Sequence, residues 1–174
     1  MDLKFKNGQG IIWAVFFSAI QIALFKELFQ MFIVAIFGGG NSEFSFIFPS
    51  FQYYFEPLPD RLMPELLLLY FAPYIYLVLS VEVATATMRK IPHGKGRFFL
   101  VIFILSQIGY LLIHIFYSAV ILILSPNIQN DWIALTLYLG YDEIERFIFA
   151  FAVIFLFVFY LNISTKRIQK YINY

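Results

Sequence analysis

The chain has no cysteine, which excludes disulfides, thiolate catalysis and cysteine-ligated metal. Charge is almost as scarce: Asp, Glu, Lys and Arg make up 13% of 174 residues, against ~25% in an ordinary soluble domain. So little charge cannot solvate a globular surface. The formal net charge is +1, so no basic face exists for nucleic acid. A Ser-His-Asp set, a glycine-rich phosphate loop, a CxxC motif, internal repeats and low-complexity tracts are all missing. His93 and His114 are the only histidines, one in a basic loop and one inside an apolar run.

Apolar side chains fill the space that these absences leave. Hydrophobic residues make up 61% of the chain, with 23 Phe and 12 Tyr, and the mean hydropathy is +0.80. A soluble fold of this size could not hide so many large rings, so the solvent is a lipid bilayer. With ~20 residues needed per crossing, little chain is left for a separate extramembrane module. Residues 1–174 therefore read as a single integral membrane domain, all-α and multi-pass.

Four runs qualify as transmembrane helices: residues 11–37, 62–83, 98–124 and 143–161. The first is too long for a signal peptide and has no small-residue cleavage site after it. Gly38, Gly39 and Gly40 stop it, because successive glycines favour irregular backbone over helix. Between residues 43 and 60, aromatics alternate with polar residues (Phe44, Phe46, Phe48, then Phe51, Tyr53, Phe55) among Pro49, Pro57 and Pro59, which predicts an aromatic interfacial hairpin or extended segment. In the second run Pro64 suits a first helical turn, whereas Pro73 lies inside and removes a backbone hydrogen bond, so a kink is expected there. Ser125-Pro126-Asn127 ends the third run. Residues 131–140 form a short, partly apolar stretch before the fourth. Trp13 and Trp132 are expected near membrane interfaces.

Basic residues in short loops are retained on the cytoplasmic side. Lys4 and Lys6 lie before the first run; Arg89, Lys90, Lys95 and Arg97 between the second and third; Lys166, Arg167 and Lys170 after the fourth. These two, four and three residues total nine, against two (Arg61 and Arg146) at the remaining connections. The bias predicts both termini in the cytoplasm and an even number of spans.

Charged residues at bilayer depth cost roughly 2.5–3.5 kcal/mol each on insertion scales, so those present pair, line a cavity or act. Lys26-Glu27-Leu28-Phe29-Gln30 lies in the first run, with Lys26 and Gln30 on one helix face at i and i+4. Asp142-Glu143-Ile144-Glu145-Arg146 opens the fourth. Glu82, at the end of the second, is within reach of the basic loop as a salt bridge at the membrane edge. Gln107, Tyr110 and His114 form a polar stripe along the third run, suited to interhelical hydrogen bonding or to lining a polar interior.

The K-E-L-F-Q helix resembles the H-E-x-x-H helix of intramembrane zinc metallopeptidases of the site-2-protease type and of related zincin-like membrane proteins. The Ile36-Phe37-Gly38-Gly39-Gly40 stop, the aromatic segment with Phe48-Pro49, Ala72-Pro73-Tyr74, and the late Gly140-Tyr141-Asp142 are similar to that family in order. The resemblance implies that Asp142 stands for the third zinc ligand and Glu27 for the general base. Lys26 and Gln30 replace both histidines. A protonated lysine cannot coordinate zinc, and a glutamine amide is a poor substitute for imidazole, so neither metal nor other cofactor is expected.

Three functions follow as expectations. The first is a non-enzymatic membrane subunit or scaffold, on a metallopeptidase-like fold that has lost its zinc site, associating with other membrane proteins or with itself. The second is an intramembrane hydrolase with Glu27 as catalytic base. The third is a small ion or proton carrier or channel subunit using Lys26, Glu27 and Asp142. The missing histidines favour the first. Lys26 is expected to pair with Glu27 or with Asp142 across the bundle, its ammonium taking the place that a metal cation holds in the resembling family.

Overall fold

A computed structural model of the chain describes residues 8–38, 42–47, 50–56, 62–92, 94–124 and 130–172. Lys4, Lys6, Gly39, Gly40, Phe48, Pro49, Pro57, Pro59, Arg61, His93 and Ser125-Pro126-Asn127 lie outside these residues. Within them the fold is all-α apart from one hairpin. Helix α1 spans Gly8–Ile33 and ends in a π-helical turn, Val34–Gly38. Strands β1 (Ser42–Ile47) and β2 (Ser50–Phe55) follow as an antiparallel pair, with Phe44 opposite Tyr53 and Phe46 opposite Phe51. Helices α2 (Met63–Met88), α3 (Lys95–Leu124), α4 (Asp131–Tyr138) and α5 (Glu143–Ile172) complete the order.

Among the described residues, four helices are long and apolar enough to cross a membrane: Gly8–Phe37, Met63–Met88, Lys95–Leu124 and Glu143–Tyr171. They match the four expected runs but extend past them. The 30 residues of α5 reach about 45 Å at 1.5 Å per residue, well beyond a ~30 Å hydrocarbon core. Hydropathy marks where apolar side chains stop, whereas the helix continues until something breaks its backbone. Nothing between Asn162 and Lys170 does.

Interhelical contacts fix the packing. Gln21 of α1 meets Tyr76 and Ser80 of α2, while Gln30 meets Leu69, so α1 and α2 run antiparallel. Phe17 of α1 packs on Phe99 of α3 and Lys26 reaches Tyr110, so α1 and α3 run parallel. Glu82 and Arg167, near the ends of α2 and α5, are ion-paired at 2.9 Å. Sequence reading had Glu82 meeting the basic loop; the overshoot of α5 brings Arg167 to it instead. Of the four spans α2 is the most enclosed and α5 the least. The outer surfaces are apolar nearly throughout, as lipid contact requires.

Helix α4 lies between the third and fourth spans and packs against α2 and α3. Asn130 caps it, its Oδ1 accepting from the Trp132 N–H at 2.9 Å. At its other end the Gly140 N–H donates to Leu137 O and the Tyr141 N–H to Thr136 O. This Schellman pattern needs a left-handed residue, supplied by Gly140 at φ +70°. Trp13 is exposed, as a lipid-facing Trp should be. Trp132 is not: its ring is fully buried against Phe71, Tyr74 and Phe149, because α4 folds back onto the bundle.

Candidate functional site

The buried face of α1 is a single row one turn apart, Ala14, Ser18, Ile22, Lys26 and Gln30, with Glu27 beside it. Its polar members open a chain of polar side chains through the middle of the bundle. In the first layer, Gln107 Nε2 donates to Ser18 Oγ at 3.0 Å and to Gln21 Oε1 at 2.8 Å. Gln21 Nε2 donates to Tyr76 Oη at 2.8 Å and to Ser80 Oγ at 2.7 Å. Gln107 is fully buried, and Tyr110 and His114 of the same stripe meet Lys26 of α1 and Tyr74 of α2.

The second layer holds the charge. Lys26 Nζ lies 2.7 Å from Glu27 Oε1, with both side chains buried. Tyr110 adds its hydroxyl at 3.5 Å and its ring face at 5.9 Å from the ammonium. Lys26 and Gln30 both point inward, as the i, i+4 spacing requires. Gln30 has a distinct task. Pro73 has no N–H, so the carbonyl four residues earlier, that of buried Leu69, loses its helical donor. Gln30 Nε2 supplies one from α1 at 3.5 Å, repairing the break from a neighbouring helix.

In the third layer, His114 Nδ1 and Tyr74 Oη are hydrogen-bonded at 2.9 Å, and Tyr74 Oη and Ser118 Oγ at 3.0 Å. Asn130 Nδ2 donates to Ser118 Oγ at 3.2 Å. The rings of Tyr110 and His114, with centroids 5.6 Å apart, join this layer to the second. Asp131 follows Asn130 in sequence and feels the charges of both Lys26 and Glu27. The residue keeps some accessible surface, yet its carboxyl is desolvated. That burial pushes the carboxyl up to about 7 from an ordinary 3.8, with Lys26 pulling it down and Glu27 pushing it up.

Asp142 is elsewhere. Its exposed carboxylate accepts from the Glu145 N–H at 2.8 Å, while Glu145 Oε2 accepts from the Asp142 N–H at 2.9 Å. This reciprocal capping box starts α5. The pairing of Lys26 is thus with Glu27, and the second acid near it is Asp131 rather than Asp142. Sequence reading missed Asp131, along with Ser18, Gln21, Tyr74 and Ser118.

The arrangement does not suit zinc. The ammonium sits on the carboxylate a metal would need, Gln30 turns its amide N–H to Leu69 O, and Asp142 is engaged at a helix start. Among the described residues no three His, Cys, Asp or Glu side chains gather as a metal-ligand group. An open groove of about 400 Å³ between α3 and α5, lined by Leu122, Ile123, Glu143, Ile144, Arg146 and Phe147, lies apart from the polar chain. Comparison with protein-family models, curated proteins and solved structures gave no match.

Proposed function

We propose that this chain is a non-enzymatic, multi-pass integral membrane subunit, with both termini cytoplasmic, that assembles with other membrane proteins or with itself. One observation carries the reading: α5 packs chiefly on α3 and leaves Phe147, Phe151, Phe155 and Phe159 exposed at successive i, i+4 positions. Such a row has the spacing of a helix-packing ridge. Inside, the polar side chains bond mainly to one another and join the first three spans. In the resembling metallopeptidases the equivalent helix grips a zinc ion; on this reading the Lys26 ammonium takes the place of that cation and makes the site structural.

Photo-crosslinking in native membranes tests the reading. A benzophenone side chain at Phe151 or Phe155 is expected to capture a protein, either another subunit or a second copy, while one at exposed Ile113 of α3 gives lipid adducts alone. Lipid adducts at all three positions would remove the subunit reading. Orientation is tested by single cysteines introduced into the cysteine-free chain. Residues 94 and 170 should be protected from an impermeant external reagent, and external labelling of either would reverse the topology.

A hydrolase remains the rival because Glu27 is buried in the right helix. Metal analysis decides it: stoichiometric zinc lost on Glu27→Gln would restore the enzymatic reading, whereas zinc-free, folded protein supports the structural role.

A further inference from the structure

The open groove between α3 and α5, about 400 Å³ in volume, sets four apolar side chains, Leu122, Ile123, Ile144 and Phe147, beside one acid, Glu143, and one base, Arg146. It lies where both spans leave the hydrocarbon, because α3 ends at Leu124 and α5 starts at Glu143. At that depth a phospholipid changes from acyl chain to headgroup. Glu143 and Arg146 stand one helical turn apart, the spacing of an ordinary helix ion pair, yet among the described residues no ion pair joins them. Half-buried Arg146 instead donates its Nε–H to Tyr141 O at 3.1 Å, which anchors the guanidinium at the groove. Asp142 and Glu145 are engaged with each other's backbone N–H groups. Glu143 is thus the acid of this turn whose carboxylate is left for an outside partner.

We propose that this groove binds one phosphatidylethanolamine molecule, its acyl part against the four apolar side chains, its phosphate on Arg146 and its ammonium on Glu143. Each part of the lipid answers one part of the lining. A guanidinium with its Nε–H on a backbone carbonyl keeps its terminal N–H groups for phosphate oxygens. The ethanolamine ammonium carries N–H donors that the Glu143 carboxylate accepts, whereas the trimethylated nitrogen of choline has none. The groove brings one charge of each sign, as the zwitterionic headgroup does. Phosphatidylglycerol would satisfy Arg146 but set an unneutralised phosphate beside Glu143, with Asp142 and Glu145 adding repulsion from the same turn. The inference does not rest on the subunit reading. Of the exposed phenylalanine row, Phe147 alone lines the groove, so Phe151, Phe155 and Phe159 stay open to a protein partner.

The test is native mass spectrometry of the full chain, delipidated in detergent and titrated with dioleoyl phosphatidylethanolamine, phosphatidylcholine or phosphatidylglycerol. One phosphatidylethanolamine is expected to bind about tenfold more tightly than either of the others, the effect of one charge-assisted hydrogen bond. Glu143→Gln should abolish the preference over phosphatidylcholine. Glu143 is exposed and outside the α5 capping box, so this variant leaves the helix start intact. Arg146→Gln should weaken phosphatidylethanolamine and phosphatidylcholine together, since both carry the phosphate. Equal affinity for the three lipids, or tighter binding of phosphatidylglycerol, would overturn the proposal. So would a phosphatidylethanolamine preference that persists in Glu143→Gln, which would place the lipid elsewhere on the bundle.

Discussion

Gln30, Leu69 and Pro73 allow a quantitative test of how the spans are held together. The perturbation is Gln30→Met, which keeps the shape of a fully buried side chain and removes its amide. The fully buried Leu69 carbonyl then loses the donor that α1 brings to it, and Pro73 cannot supply the helical one. An unsatisfied buried backbone acceptor costs ~1–3 kcal/mol. Interhelical hydrogen bonds within membranes average nearer ~0.6 kcal/mol and reach ~1.7. The 3.5 Å length of this bond and the relief from burying one amide fewer place the expected loss at about 1 kcal/mol. The decisive comparison adds Pro73→Ala, whose restored N–H reaches Leu69 O within α2. In that background Gln30→Met should cost close to nothing. The cycle is read by reversible unfolding in mixed micelles, where a coupling of about 1 kcal/mol stands clear of the ~0.3–0.5 kcal/mol scatter of independent sites. Strict additivity would refute the repair of Leu69 by Gln30.

The remaining outcomes concern charge and capping. Lys26→Met should cost about 3–5 kcal/mol and Glu27→Gln less, because Asp131 remains as a counter-charge for Lys26; the double variant should recover most of the loss. Asp131 binds its proton more tightly folded than unfolded, so between pH 4 and 7 the folded state holds more protons and stability falls as pH rises, levelling off above about 7. The full swing is at most about 4 kcal/mol, and smaller if water reaches the carboxyl; Asp131→Asn should flatten the unfolding profile across that range. Asp142→Ala should cost about 1 kcal/mol through the α5 cap and add strictly to Lys26→Met. Glu82→Gln should change stability by no more than about 1 kcal/mol, as an exposed ion pair does, with the effect shrinking at high salt.

Much of this fold is legible in the sequence because a bilayer imposes one dominant rule: backbone polar groups must be satisfied within each apolar segment. That rule gives four spans and their order directly. It says nothing about where a helix ends once it has left the hydrocarbon, which is why α2 continues past residue 83 to Met88 and α5 past residue 161 to Ile172. The inward-facing pair on α1 is legible too, since Lys26 and Gln30 stand at i and i+4; Ser18, two turns earlier on the same row, carries no charge to draw notice to it. Their partners are harder to read. Tyr74, Gln107 and Ser118 become partners through helix rotation and register, which tertiary packing sets and local pattern does not.

The choice between two late acids shows where the sequence held more than composition could extract. Asp131 and Asp142 both follow the third span, both lie at the start of a helix, and either could face Lys26 on charge alone. Local capping chemistry separates them. Asp142 is followed three residues later by Glu145, and a D-x-x-E pair at a helix start satisfies two backbone N–H groups reciprocally. Both carboxylates are then fixed at the helix end, far less available to a buried ammonium. Asp131 is preceded by Asn130, which already caps α4 through the Trp132 N–H. The carboxylate of Asp131 is therefore relieved of capping and free to meet charge from another helix. Its helix is short and carries Trp132, Ile133, Leu135 and Thr136 on a fully covered face, so it has to fold back against the spans, and the acid at its start is carried toward the bundle interior. An acid next to a residue that already caps the helix is the better candidate for a distant partner than one inside a capping box, and that criterion selects Asp131.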